Sequence, residues 1–124
     1  FPTRRSSDLN ANYGSTIYKD PIETANRVAK ELNEKGCDFV ICLSHLGYSY
    51  PDEKKPSDLK LAVDNEHIDL ILGGHTHTFM EAPSIHRNKG NKETLVHQVG
   101  FAGLFLGKIE VTSNKVACWK HAIE

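Results

Sequence analysis

Three histidines stand directly after two short apolar runs. His45 follows Phe39 to Leu43 within Ser44-His45-Leu46-Gly47, and His75 and His77 follow Ile68 to Leu72 within Gly73-Gly74-His75-Thr76-His77-Thr78. Imidazole suits zinc, iron, manganese and copper alike, and histidines one residue apart can grip one ion or two neighbouring ions, depending on backbone direction. Gly73 and Gly74 let the backbone turn sharply and come close to a bound ion or anion. A lone histidine after a strand is usually a half-exposed loop residue, but a Gly-Gly-His-Thr-His-Thr loop beside His45 is hard to explain as packing. Metal ligation by His45, His75 and His77 is therefore the expectation, with Thr76 and Thr78 as candidates to orient those ligands from behind. Tyr48 and Tyr50 either line a substrate cleft or are plain surface aromatics. His67, His86, His97 and His121 have no partner at ligand spacing and read as structural, so Asn65-Glu66-His67 is a decoy cluster.

Those histidines need strands to hold them. Asp20-Pro21 with Glu23 three positions after the aspartate is a helix start, and Ile22, Ala25, Val28, Ala29 and Leu32 recur at helical spacing before Gly36 stops the element. Phe39 to Leu43 suits a strand covered on both faces. Residues 44 to 56 form a loop, Ser57 caps a second helix reaching Glu66 with Leu59, Ala62 and Val63 on one face, and residues 68 to 72 form another strand. This is a βαβ unit, whose strands should be parallel and whose functional groups gather past the strands' carboxyl ends. Asn10 to Asp20 suits a turn and a short extended piece. Leu95 to Val99, Leu104 to Val111 and Val116 to Trp119 suggest an antiparallel meander.

Composition removes other function classes. The 124 residues carry 15 Lys and Arg against 16 Asp and Glu, a formal charge of −1. Without a basic excess, binding of nucleic acid or an anionic membrane by bulk charge is disfavoured. No apolar run approaches the ~20 residues of a membrane span. Cys37, Cys42 and Cys118 lack disulfide or zinc spacing and read as small buried hydrophobes. Residues 1–9 look like foreign adapter sequence, and the only methionine is Met80, so a processed chain or a piece of a longer one is expected.

Ser44-His45-Leu46-Gly47 and Gly73-Gly74-His75-Thr76-His77-Thr78, with Gln98-Val99-Gly100 and Leu106-Gly107-Lys108, resemble the second half of the calcineurin-like metallophosphoesterase domain of the 5′-nucleotidase group. The resemblance implies an α/β fold: a βαβ unit plus C-terminal antiparallel strands, making half of a four-layer αββα sandwich, with residues 10–124 as the C-terminal half of that domain. It implies two divalent metal ions (zinc, manganese, iron or cobalt), His45 and His75 on one and His77 on the other. It also implies a small phosphoester substrate, a nucleotide by family, and export to the periplasm or cell surface. The family's Asp-x-His, Gly-Asp and Gly-Asn-His motifs do not occur here. Three neutral imidazoles without a bridging carboxylate do not hold two dications against their repulsion, so the missing N-terminal half is needed.

Three readings follow. The first is a metal-dependent phosphoric ester hydrolase of the 5′-nucleotidase type, working through a metal-bridging hydroxide in the full-length protein. The second is a non-catalytic half-domain holding at most one ion, which for these residues alone is the favoured state. The third is a mononuclear zinc hydrolase with three imidazoles and one water.

Overall fold

The computed structural model describes residues 14–113 and 115–123. The foreign-looking segment expected at residues 1–9 lies outside them, as does the side chain of Cys118. Helix α1 (Pro21–Glu34) starts where Asp20 accepts a hydrogen bond from Glu23 N at 2.8 Å. It ends where Gly36, at φ 91°, lets Cys37 N reach Leu32 O at 3.1 Å and Gly36 N reach Asn33 O at 3.0 Å. This paired closure needs a left-handed residue, which glycine supplies without strain.

The next elements are β1 (Ile41–Leu43), α2 (Asp58–Asp64), β2 (Leu70–Leu72), β3 (Ser84–Arg87), β4 (Glu93–His97), β5 (Phe105–Thr112) and β6 (Lys115–Ala122). One sheet has the order β1-β2-β4-β3, with β1, β2 and β4 parallel and β3 antiparallel to β4. The second sheet is the hairpin β5-β6. The parallel β1 and β2 expected from the βαβ pattern are present, and the last two strands of the expected meander do pair antiparallel as β5-β6, but its first strand does not join them. Its first strand is β4, which aligns beside β2 in the parallel sheet, and β3 was not foreseen from the sequence. The apolar residues Leu95 and Val96 are equally suited to either pairing, so local pattern does not choose between them.

The core lies between the helices and one face of the larger sheet. Ala29, Val40, Leu61, Ala62, Ile68, Ile71 and Val96 are buried there, with Ile22, Ala25, Leu32 and Leu59 packed around them. Helix α2 turns Leu61 and Ala62 inward and leaves Val63 46% exposed, correcting the face expected for it. Strand β1 is covered on one face only: Cys42 is half-buried, whereas Ile41 and Leu43 are 48% and 81% exposed. Cys37 is exposed, contrary to the buried role expected of it.

A buried polar cluster joins the back of α2 to the sheet. Asn65, fully buried, donates from Nδ2 to Leu61 O, Ala62 O and Thr94 Oγ1, and its Oδ1 accepts from Ile68 N at 2.8 Å. Thr94 in turn donates to Ile68 O at 2.7 Å. These bonds fix where the chain leaves α2 and enters β2, and so fix the point at which the histidine loop emerges.

The hairpin approaches the end of β4, where a side chain at Gly107 would crowd Val99. Lys120 pairs with Glu81 and lies 4.2 Å from the centre of the Phe105 ring. His97 is 3% exposed beneath this contact, and neither of its ring nitrogens has a hydrogen-bond partner. Burial, reinforced by the charge of Lys120, holds its pKa below the ordinary imidazole value. The folded chain therefore accepts this proton less readily than the unfolded chain. The stability that neutral His97 contributes is present above the unfolded value of about 6.5 and is lost as pH falls through it toward the depressed folded value. His97→Leu should flatten the fall in melting temperature of the metal-free chain between pH 7 and pH 5. An acid limb as steep as that of the parent would exclude His97 as its source.

Candidate metal centre

The two motif loops begin where the parallel ladder runs out. Ser44 N donates to Leu72 O at 2.8 Å and Gly73 N to His97 O at 2.9 Å, carrying the β1-β2 and β2-β4 pairing one residue past each strand. From that shared edge the His45 and His75 rings meet edge to face, 5.1 Å between centres and 69° between planes. Both residues are exposed. Gly74 sits against this pair: a Cβ there would lie 3.2 Å from His45 Nδ1.

His77 is directed elsewhere. Its ring stacks on Phe101 at 4.9 Å and 23°, in a group that continues to Phe79 and Phe105. The structure thus brings His45 and His75 together and leaves His77 apart from them. Among the described residues no group of three or more His, Cys, Asp and Glu converges on one point. The donor set fits one ion shared by His45 and His75; a three-histidine site would require His77 to leave Phe101.

The loop owes its shape to an uncommon backbone. His75 and His77 have φ of 71° and 53°, the left-handed region that costs a non-glycine residue about 1 kcal/mol or more. Buried Gln98 holds it there, as Oε1 accepts from Thr78 N at 3.0 Å while Nε2 donates to Gly74 O at 3.0 Å and Thr76 Oγ1 at 3.2 Å. The Thr76 and Thr78 hydroxyls are 2.8 Å apart, and Thr76 Oγ1 also accepts from Tyr48 N at 3.0 Å. Both threonines are therefore bound into the frame of the loop.

Asp58 lies beneath the loop, fully buried. Its Oδ1 accepts from Ser44 Oγ at 2.5 Å, and its Oδ2 has no hydrogen-bond partner. Burial pushes its carboxyl pKa up, opposed by Ser44, the nearby Gln98 amide and His45. Any side chain at Gly73 would collide with Oδ2, which explains the first glycine of the motif better than approach to an ion does.

The two tyrosines and the other histidines lie as follows. Tyr48 packs against the core, and Tyr50 donates to Leu46 O at 2.5 Å under the Lys55 ammonium. His67 lies 3.9 Å from Glu66 at the far end of β2, His86 pairs with Ser84 at 2.8 Å, and His121 is exposed opposite Leu106. Sequence reasoning assigned no site role to Asp58, Gln98 or Phe101. The available signal for Gln98 was its place in the Gln98-Val99-Gly100 motif; Asp58 resembled any acidic residue in a first helical turn.

No family model matches the chain. It is 35% identical over 102 residues to a trifunctional nucleotide phosphoesterase of Bacillus subtilis, covering 82% of this chain and 6% of that protein. It is 26% identical to a snake venom 5′-nucleotidase of Naja atra, covering 89% of this chain and 22% of the relative. Among solved structures, a 5′-nucleotidase precursor from Thermus thermophilus superposes with a TM-score of 0.76 at 30% identity, over 90% of this chain and 24% of that one. The chain therefore spans a quarter or less of the length of each of these proteins.

Proposed function

We propose that this chain, homologous to a segment of the 5′-nucleotidases, apyrases and nucleotide phosphoesterases, houses one side of a metal centre for phosphoric ester hydrolysis, with nucleotides as the substrate class. The observation that carries the reading is the meeting of His45 and His75 at the ends of two parallel strands. His45 and His75 would hold one divalent ion of the zinc, manganese, iron or cobalt kind, and His77 would serve a second. Such ions would lower the pKa of a bound water and neutralise charge on the phosphoryl oxygens.

The residues present do the holding. The imidazoles bind as neutral donors, so protons compete with the ion and acid releases it. Thr76 and Thr78, through their mutual bond and Gln98, keep the loop from turning. The share of its relatives that the chain covers, 6% to 24% of those compared, supports a half-centre completed by other parts of such a protein. Relatives that include a venom protein and a precursor support an exported site of action. Among the described residues no helix is long and apolar enough to cross a membrane.

The test is a pair of measurements on the chain: uptake of Mn²⁺ or Co²⁺, and release of phosphate from a nucleoside monophosphate with either ion. Binding of one ion without turnover is expected. Turnover that disappears in His75→Ala would show the centre to be complete within these residues and would sink the half-centre reading.

A further inference from the structure

His75 and His77 are held in a left-handed conformation that persists only where neighbours over-determine it. Between them stands Thr76, and on either side Gly74 and Thr78; one side chain from another strand end reaches all three. We propose that Gln98 is the positioning residue that sets the two histidines for metal, an inference that rests on the metal-centre reading above. Every hydrogen-bonding atom of its carboxamide is committed: Oε1 to Thr78 N, and Nε2 to Gly74 O and Thr76 Oγ1. The side chain is 3% exposed, so water does not substitute for these bonds.

The geometry of the clamp matters as much as the number of bonds. It grips the loop one residue before His75, between the histidines, and one residue after His77. The chain direction at each histidine is thereby fixed, and with it the angle at which each ring leaves the backbone. Among the described residues the other hydrogen bonds into the loop from outside it are single: Gly73 N to His97 O, Tyr48 N to Thr76 Oγ1 and Gly100 N to Thr78 O. None of them spans both histidines. Gln98 touches no ring nitrogen; it acts through the backbone that carries the rings, as groups behind a metal ligand do.

Gln98→Met keeps the volume and removes all three bonds; Gln98→Asn keeps a polar group that falls one methylene short, and serves if the methionine variant does not fold. Each is titrated with Co²⁺ and followed by visible absorption, which reports ligand number and geometry, alongside the melting temperature of the metal-free chain. The expected result is a loss of Co²⁺ affinity of about 10- to 100-fold with an altered spectrum, larger than any change in melting would explain. Parental affinity and an unchanged spectrum in either folded variant would overturn the assignment. If the parent chain takes up no Co²⁺, the metal-centre reading fails by itself. Gln98 is then judged by the ¹³C shifts of His75 and His77: loss of their left-handed signature in Gln98→Asn upholds the positioning role, and retention refutes it.

Discussion

Replacing His75 by alanine should cut the affinity of the chain for Co²⁺ or Mn²⁺ by more than the about 10- to 100-fold that accompanies loss of a supporting group. His77→Ala should change it far less. The asymmetry follows from geometry, because the His45 and His75 rings are 5.1 Å apart while His77 lies flat against Phe101. Removing one imidazole of the pair leaves a single neutral donor, which holds a hydrated dication poorly. His45→Ala should match His75→Ala, and the double replacement should cost little beyond either, since the two act as one unit. Isothermal titration of the three variants decides the matter; equal losses from His75→Ala and His77→Ala would mean that all three rings converge on one ion.

The second large effect concerns the fold. Asn65→Ala should destabilise the chain by about 3 kcal/mol, because burying the Ile68 N–H without an acceptor costs about 1–3 kcal/mol and the Leu61 and Ala62 carbonyls lose a donor as well. Urea denaturation of the metal-free protein measures it. Asn26→Ala is the control: it removes one half-buried bond, 3.2 Å to Asp64 O, and should cost well under half as much. A loss below about 1 kcal/mol for Asn65→Ala would mean that water replaces the lost bonds. The result bears on function, since Asn65 fixes the start of β2 and β2 delivers the histidine loop.

Particular residues show why some of this was legible in the sequence. The start of α1 was, because Asp20, Pro21 and Glu23 act on the backbone within a single turn, and so was its end at Gly36. The position of the histidine loop was, because it directly follows an apolar strand. The pairing of β4 was not: nothing between Leu95 and Val99 states whether its neighbour runs parallel or antiparallel. The short β3 was missed for the same reason, as Ser84 to Arg87 gains its strand form only by pairing with β4.

The sequence by itself determined the βαβ order, the positions of the helix caps and the identity of the three histidines at the strand ends, all set by interactions within a few residues. Tertiary structure alone decided that His45 meets His75 while His77 turns to Phe101, that Asp58 lies beneath Gly73, and that Gln98 reaches back over about twenty residues to clamp the loop. These contacts join segments distant along the chain. Their geometry depends on sheet register and on where each strand stops, which packing of the whole core settles and no local pattern of residues encodes.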